Sequence, residues 1–153
     1  MTGNRSLAAS RPGLRLKRVY AEPDAGDGAR ILVDRLWPRG IAKATARIDL
    51  WLKDVAPSDG LRRQVHADKG AWRAFVAAYG RELEREPAAS AAALLLARLE
   101  REPVTLLYAA RDEVHNNAVV LKDWLEARRK GKRVPTRSAS PPRTKKVAKA
   151  AKP

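Results

Sequence analysis

Two short stretches of this chain concentrate the residue types that move protons or hold anions. One is Arg111-Asp112-Glu113 followed by His115-Asn116-Asn117; the other is Asp34-Arg35 followed by Trp37 and Arg39. Histidine is the side chain whose ordinary charge change falls near neutral pH, so His115 is the candidate proton shuttle. Asp34 or Asp112 would orient it or serve as the general base itself. Arg35, Arg39 and Arg111 carry planar guanidinium groups that grip carboxylate or phosphate with paired donors. Asn116 adds a neutral amide, and Trp37 offers an apolar or stacking wall. His66 and Tyr108 are second-tier candidates. Together these residues describe an anion pocket with one acid–base group.

Such a pocket exists only if distant segments are brought together. Before the second cluster, VTLLYAA (104–110) is β-branched and uncharged, as a buried strand is; before the first, ARILVDRLW (29–37) holds the apolar run Ile31-Leu32-Val33 and reads as a strand ending near Asp34. In open α/β sheets, ligands sit outside the carboxyl ends of strands. If these two strands are parallel neighbours, their charged ends converge on one crevice. A helix over 118–129, capped by Asn116 or Asn117 and followed by Gly131, starts at the same place and aims its free N–H groups and positive dipole end there.

The other elements follow from periodicity. LRLKRVY (14–20) alternates as a half-exposed strand, and EPDAGDG (22–28) is a turn. Residues 41–101 read as helical. Trp72, Phe75, Val76, Tyr79 and Leu83 recur on one helical face, with Asp68 as N-cap and Pro87 as the stop. Ser58 opens a helix as an N-cap rather than as a nucleophile, since no G-x-S-x-G turn surrounds it. Ala88–Glu100 forms a further helix with Leu95, Leu96 and Leu99 inward. The order β-β-α-α-α-β-α, with strands apolar throughout, predicts a small α/β domain of three-layer character. Its short parallel or mixed sheet is flanked by helices and followed by a disordered basic C-terminal tail.

Composition bounds the rest. The chain has 153 residues, 44% of them hydrophobic, enough for one ordinary core. Residues 1–13 read as a flexible leader, 14–129 as a single α/β domain, and 130–153 as a disordered Lys/Ala/Pro-rich tail. The formal charge is +15, but 11 of the 32 Lys/Arg and none of the 17 Asp/Glu follow Ala127, so residues 1–127 carry +4. The basicity is therefore a tail property. It makes nonspecific nucleic-acid binding through residues 130–153 the alternative function, with a solvated extension as the plainer one. The absence of cysteine excludes disulfides, thiolate metal sites and a cysteine nucleophile. His66 and His115 lack metal-ligand spacing, so no metal is expected; no cofactor, no apolar span and no signal core are read, and the expected location is cytoplasmic.

Three stretches carry a family resemblance: ILVDRLWPRGI (31–41), DLWLKDVAPS (49–58) with the following LRRQVHAD, and LLYAARDEVHNNAVVLKDWL (106–125). Together they resemble the YeaO-like branch of the bacterial domain of unknown function 488 family, over roughly residues 14–128. The resemblance implies a small α/β fold and no established reaction. The broader family typically shows a cysteine in the third strand and a Cys-His-Arg triplet opening the last helix. This chain has Tyr108 after Leu106-Leu107, and Asn116-Asn117 after His115, so thiol chemistry does not carry over. A methyltransferase-like role implied for some relatives does not carry over either, because no glycine-rich strand-to-helix loop is present.

Each candidate also has a structural explanation. Asp34-Arg35 would serve equally as an ion pair at a strand end, His115 with its asparagines as a helix cap, Arg111-Asp112-Glu113 as a solvated turn, and the tryptophans as core. The expected ligand remains a small anion, with the basic-tail accessory protein and a purely structural ion network as alternatives.

Overall fold

A computed structural model describes residues 13–67 and 69–133, with only the backbone given for 65–67, 69 and 131–133. The expected leader, most of the tail, the Asp68 cap and the His66 side chain lie outside the described residues.

Four strands form one parallel sheet: β1 (Leu14–Arg18), β2 (Ala29–Leu32), β3 (Leu50–Trp51) and β4 (Val104–Tyr108), in the order β1-β4-β2-β3. The central strands β2 and β4 are buried at every position. That is why their sequences are apolar runs rather than alternations: both faces of a central parallel strand are covered. The register sets Ile31 beside Leu106 and Leu32 beside Leu107, so these two strands end together. One further hydrogen bond, Val33 N to Leu107 O at 3.1 Å, carries the ladder to the edge of Asp34.

Among the described residues there are four α-helices: α1 (Asp59–Ala67), α2 (Trp72–Glu82), α3 (Ala88–Leu99) and α4 (Asn117–Arg133). Ser58 caps α1, its hydroxyl accepting from Leu61 N at 3.3 Å. In α2 the face Phe75, Tyr79 and Leu83 is buried, and in α3 Leu95 and Leu99 are buried. Contacts divide the chain into two units, Met1–Lys122 and Asp123–Pro153, with the boundary inside α4. In the second unit the Arg128 guanidinium lies over the Trp124 ring.

Four expectations are corrected. Residues 41–58 are not helical: they form two single 3-10 turns, Lys43–Thr45 and Lys53–Val55, around β3. The period-two pattern Ile48-Asp49-Leu50-Trp51-Leu52 is the strand signal there, and Leu52 N donates to Leu32 O at 2.8 Å to extend the pairing. Val76 is exposed, because it stands one residue past the buried Phe75 and off the centre of the stripe. Leu96 is half-buried rather than inward, beside the fully buried Leu95. Finally, α4 begins at Asn117 and continues through Gly131 to Arg133, so that glycine does not end it.

At the opposite edge of the sheet, where the strands begin, Asp27 forms a charge hub. Its carboxylate accepts from Arg15 Nη2 at 2.8 Å, from Lys17 Nζ at 2.9 Å and from Arg30 Nη1 at 2.5 Å, while its side chain is 1% exposed. Burial alone would raise its pKa, yet the hydrogen bonds from Lys17, the Asp24 backbone and Arg30 outweigh it and hold the carboxyl at about 2. The adjacent Gly28 has φ +65, and a Cβ there would fall 2.2 Å from Pro103 O. Only glycine allows the turn into β2 to pass so close to the chain entering β4.

Candidate functional site

The C-terminal ends of β2 and β4 open into a cleft of about 340 Å³. Its floor is Asp34. The Asp34 carboxylate accepts from Ala109 N at 2.9 Å, tying the end of β2 to the end of β4, and from Asn117 Nδ2 at 3.2 Å, tying both to the start of α4. Asn117 Nδ2 also reaches Val33 O at 3.1 Å, and the Trp51 indole donates to Asp34 O at 2.8 Å. Burial raises the pKa of Asp34 above its ordinary value; the hydrogen bonds from Ala109 and Asn117 and the charge of Arg62 work in the other direction without overcoming it. The floor is thus a carboxylate that is short of solvation.

Three guanidinium groups line the cleft: Arg35, Arg39 and Arg62. Arg35 is steadied by the carbonyls of Pro57 (Nε, 3.2 Å) and Ala56 (Nη2, 3.4 Å), and lies 3.8 Å from Asp59. Arg62 reaches the same Asp59 at 3.6 Å, but its Nε is buried and has no acceptor. Arg39 is exposed, and its carbonyl accepts from Tyr20 Oη at 2.9 Å.

The opposite wall is aromatic. Trp72 and Phe75, one helical turn apart on α2, stack with centroids 5.3 Å apart, and the His115 ring stands edge-on to Trp72 at 4.8 Å. Trp37, its indole anchored to Ile41 O at 2.6 Å, closes another side. His115 Nδ1 lies 3.5 Å from Asp112 Oδ2; both side chains are about half exposed, so the pair orients the ring without adding much stability.

Six sequence-predicted residues therefore line one cleft: Asp34, Arg35, Trp37, Arg39, His115 and Asn116. Asn116 also caps α4, accepting from Val119 N at 3.0 Å, so that part of the helix start is already satisfied by the chain itself. Arg111 stays on the exposed loop and is not a lining residue. Asp112 does not line the cleft either: its Oδ1 accepts from Val114 N and His115 N, both at 2.9 Å, which folds the turn and lowers its pKa. Tyr108 is buried in β4 rather than displayed. The sequence reading missed Arg62, Trp72 and Phe75 as lining residues. Arg62 had a signal, since it stands one helical turn beyond the Ser58 cap and hence near the sheet edge; the aromatic pair is indistinguishable from core by periodicity alone.

Among the described residues no cluster of three or more His, Asp or Glu could hold a metal, and no helix is long and apolar enough to cross a membrane.

Comparison with known proteins gives a consistent picture. Residues 13–144 match the family profile described as the inactive DUF488-N3 subclade. The uncharacterized protein YeaO of Escherichia coli K12 is 40% identical over 114 residues, covering 74% of this chain and 97% of that protein. The uncharacterized protein Rv3073c of Mycobacterium tuberculosis H37Rv is 39% identical over 115 residues, covering 75% and 95% respectively. The uncharacterized protein Mb3100c of Mycobacterium bovis matches at the same level, 39% over 115 residues. No solved structure matches the chain. The chain belongs to the YeaO-like branch of the DUF488 family.

Proposed function

We propose that this protein binds a small carboxylate- or phosphate-bearing molecule in the cleft over Asp34, as a binding protein rather than a catalyst. The observation that carries this reading is the convergence of Arg35, Arg39 and Arg62 on one concave site. Guanidinium groups gathered in one cleft favour an anion more than the same groups dispersed over open surface. The site volume suits a small metabolite. The description of the matching subclade as inactive supports binding without turnover.

Calorimetric titration with 3-phenylpropanoate and with inorganic phosphate tests this reading. At least one should bind, and Arg62→Gln should weaken it by about tenfold, the worth of one charge-assisted hydrogen bond. Binding of neither anion, or unchanged affinity in Arg62→Gln, would contradict it.

A second reading rests on charge alone. The 11 Lys/Arg after Ala127, uninterrupted by acid, would hold polyanions such as DNA at low salt without using the cleft.

A further inference from the structure

The cleft presents more than cations. Asp34 contributes a carboxylate with about four acceptor positions; the protein fills two of them, from Ala109 N and Asn117 Nδ2. Asp34 lines the same cleft as Arg35, Arg39 and Arg62. The half-buried Trp72 supplies an apolar ring surface in the cleft. A simple anion would answer the guanidinium groups and leave the half-satisfied carboxylate facing it, which costs affinity.

Resting on the anion-binding reading above, we propose that the ligand is an aromatic ampholyte. It is a ring that carries both an ammonium group and a carboxylate, with the ammonium on Asp34, the carboxylate on Arg62 and Arg35, and the ring on Trp72. Each part of such a ligand answers a feature the protein leaves open: the spare acceptor positions of Asp34, the partly exposed side chains of Arg35 and Arg62, and the half-buried Trp72 ring. The ammonium returns to Asp34 the charge stabilisation that its burial removes. His115, edge-on to Trp72, closes the ring's side of the site and does no chemistry in this account.

The test is a subtraction series on the full chain by calorimetry: L-phenylalanine, 3-phenylpropanoate (no ammonium), and phenethylamine (no carboxylate). Phenylalanine should bind about tenfold more tightly than either fragment, the worth of each charged contact removed. Asp34→Asn should abolish the preference over 3-phenylpropanoate, weakening phenylalanine and tightening 3-phenylpropanoate, whose carboxylate then faces no like charge; far-ultraviolet circular dichroism reports that the variant is folded. If Asp34→Asn fails to fold, the wild-type ranking decides alone. Equal or tighter binding of 3-phenylpropanoate overturns the ampholyte and leaves the anion site standing. A preference that persists in folded Asp34→Asn overturns the role given to Asp34, and binding of none of the compounds overturns the site itself.

Discussion

Replacing Asp34 by Asn perturbs the point where two strands and a helix meet, and the structure dictates both the size and the pH signature of the result. The carboxylate accepts one hydrogen bond on each oxygen, from Asn117 Nδ2 and from Ala109 N. An amide keeps one acceptor and turns its NH2 toward the other donor, so one of the two bonds is lost. A buried donor without a partner costs about 1–3 kcal/mol, and removing a desolvated charge gives part of this back, so the net loss near neutral pH should be about 1–2 kcal/mol. The pH dependence separates the two contributions. Burial raises the folded-state pKa of Asp34 above 3.8, so the folded state binds the proton more tightly than the unfolded state does. The wild type therefore loses stability as pH rises from 3.8 through the folded pKa, whereas the variant has no such loss. The stability gap between them should be widest in acid, narrow as pH rises, and then level off. Urea unfolding followed by tryptophan fluorescence at a series of pH values measures this directly. A gap that widens with rising pH would mean that Arg62 and the two hydrogen bonds outweigh burial, and would refute the reasoning.

Other outcomes follow from the opposite edge of the sheet and from the tail. Asp27→Asn leaves Arg15, Lys17 and the buried Arg30 without their common anion and should cost about 3 kcal/mol, read from urea midpoints. The Asp27 pKa is depressed to about 2, so its stabilisation is complete above 3.8 and lost as pH falls through about 2; the variant's acid unfolding should lack that component. Gly28→Ala combines a positive φ with a Cβ 2.2 Å from Pro103 O and should lower stability by more than about 2 kcal/mol, seen as a reduced Tm. Removing residues 130–153, which hold nine of the 11 Lys/Arg after Ala127, should weaken low-salt DNA retention on a column; unchanged retention would end the second reading.

Much of the site was legible because its positions are tied to strand ends. Asp34 and Ala109 follow apolar runs whose lengths fix where each strand stops, and parallel pairing then brings them together. The cap at Asn116 was equally visible, since an asparagine before an apolar helical run satisfies a free N–H wherever it occurs. The reading failed where tertiary placement decides. Arg111 and Arg62 are both arginines near the sheet edge, and only the packing of α1 against α2 puts Arg62 in the cleft while the turn folded by Asp112 leaves Arg111 outside. Trp72 looked like core, as the buried Phe75 is, because the spacing that makes a helix face apolar is the same whether a position is covered or borders an open site. The short β3 was hidden for a different reason: two paired residues among turns leave a period too brief to outweigh the helical residues around them.

The central claim is that Asp34, Arg62 and the start of α4 form one ligand site. Titrating the isotopically labelled full-length protein with 3-phenylpropanoate, while recording backbone amide and tryptophan indole resonances, tests it most directly. The account predicts saturable shifts concentrated at Ala109, Asn117 and the Trp72 indole, with the amides around Asp27 unmoved. Shifts confined to residues beyond Arg128, or none that saturate, would contradict it.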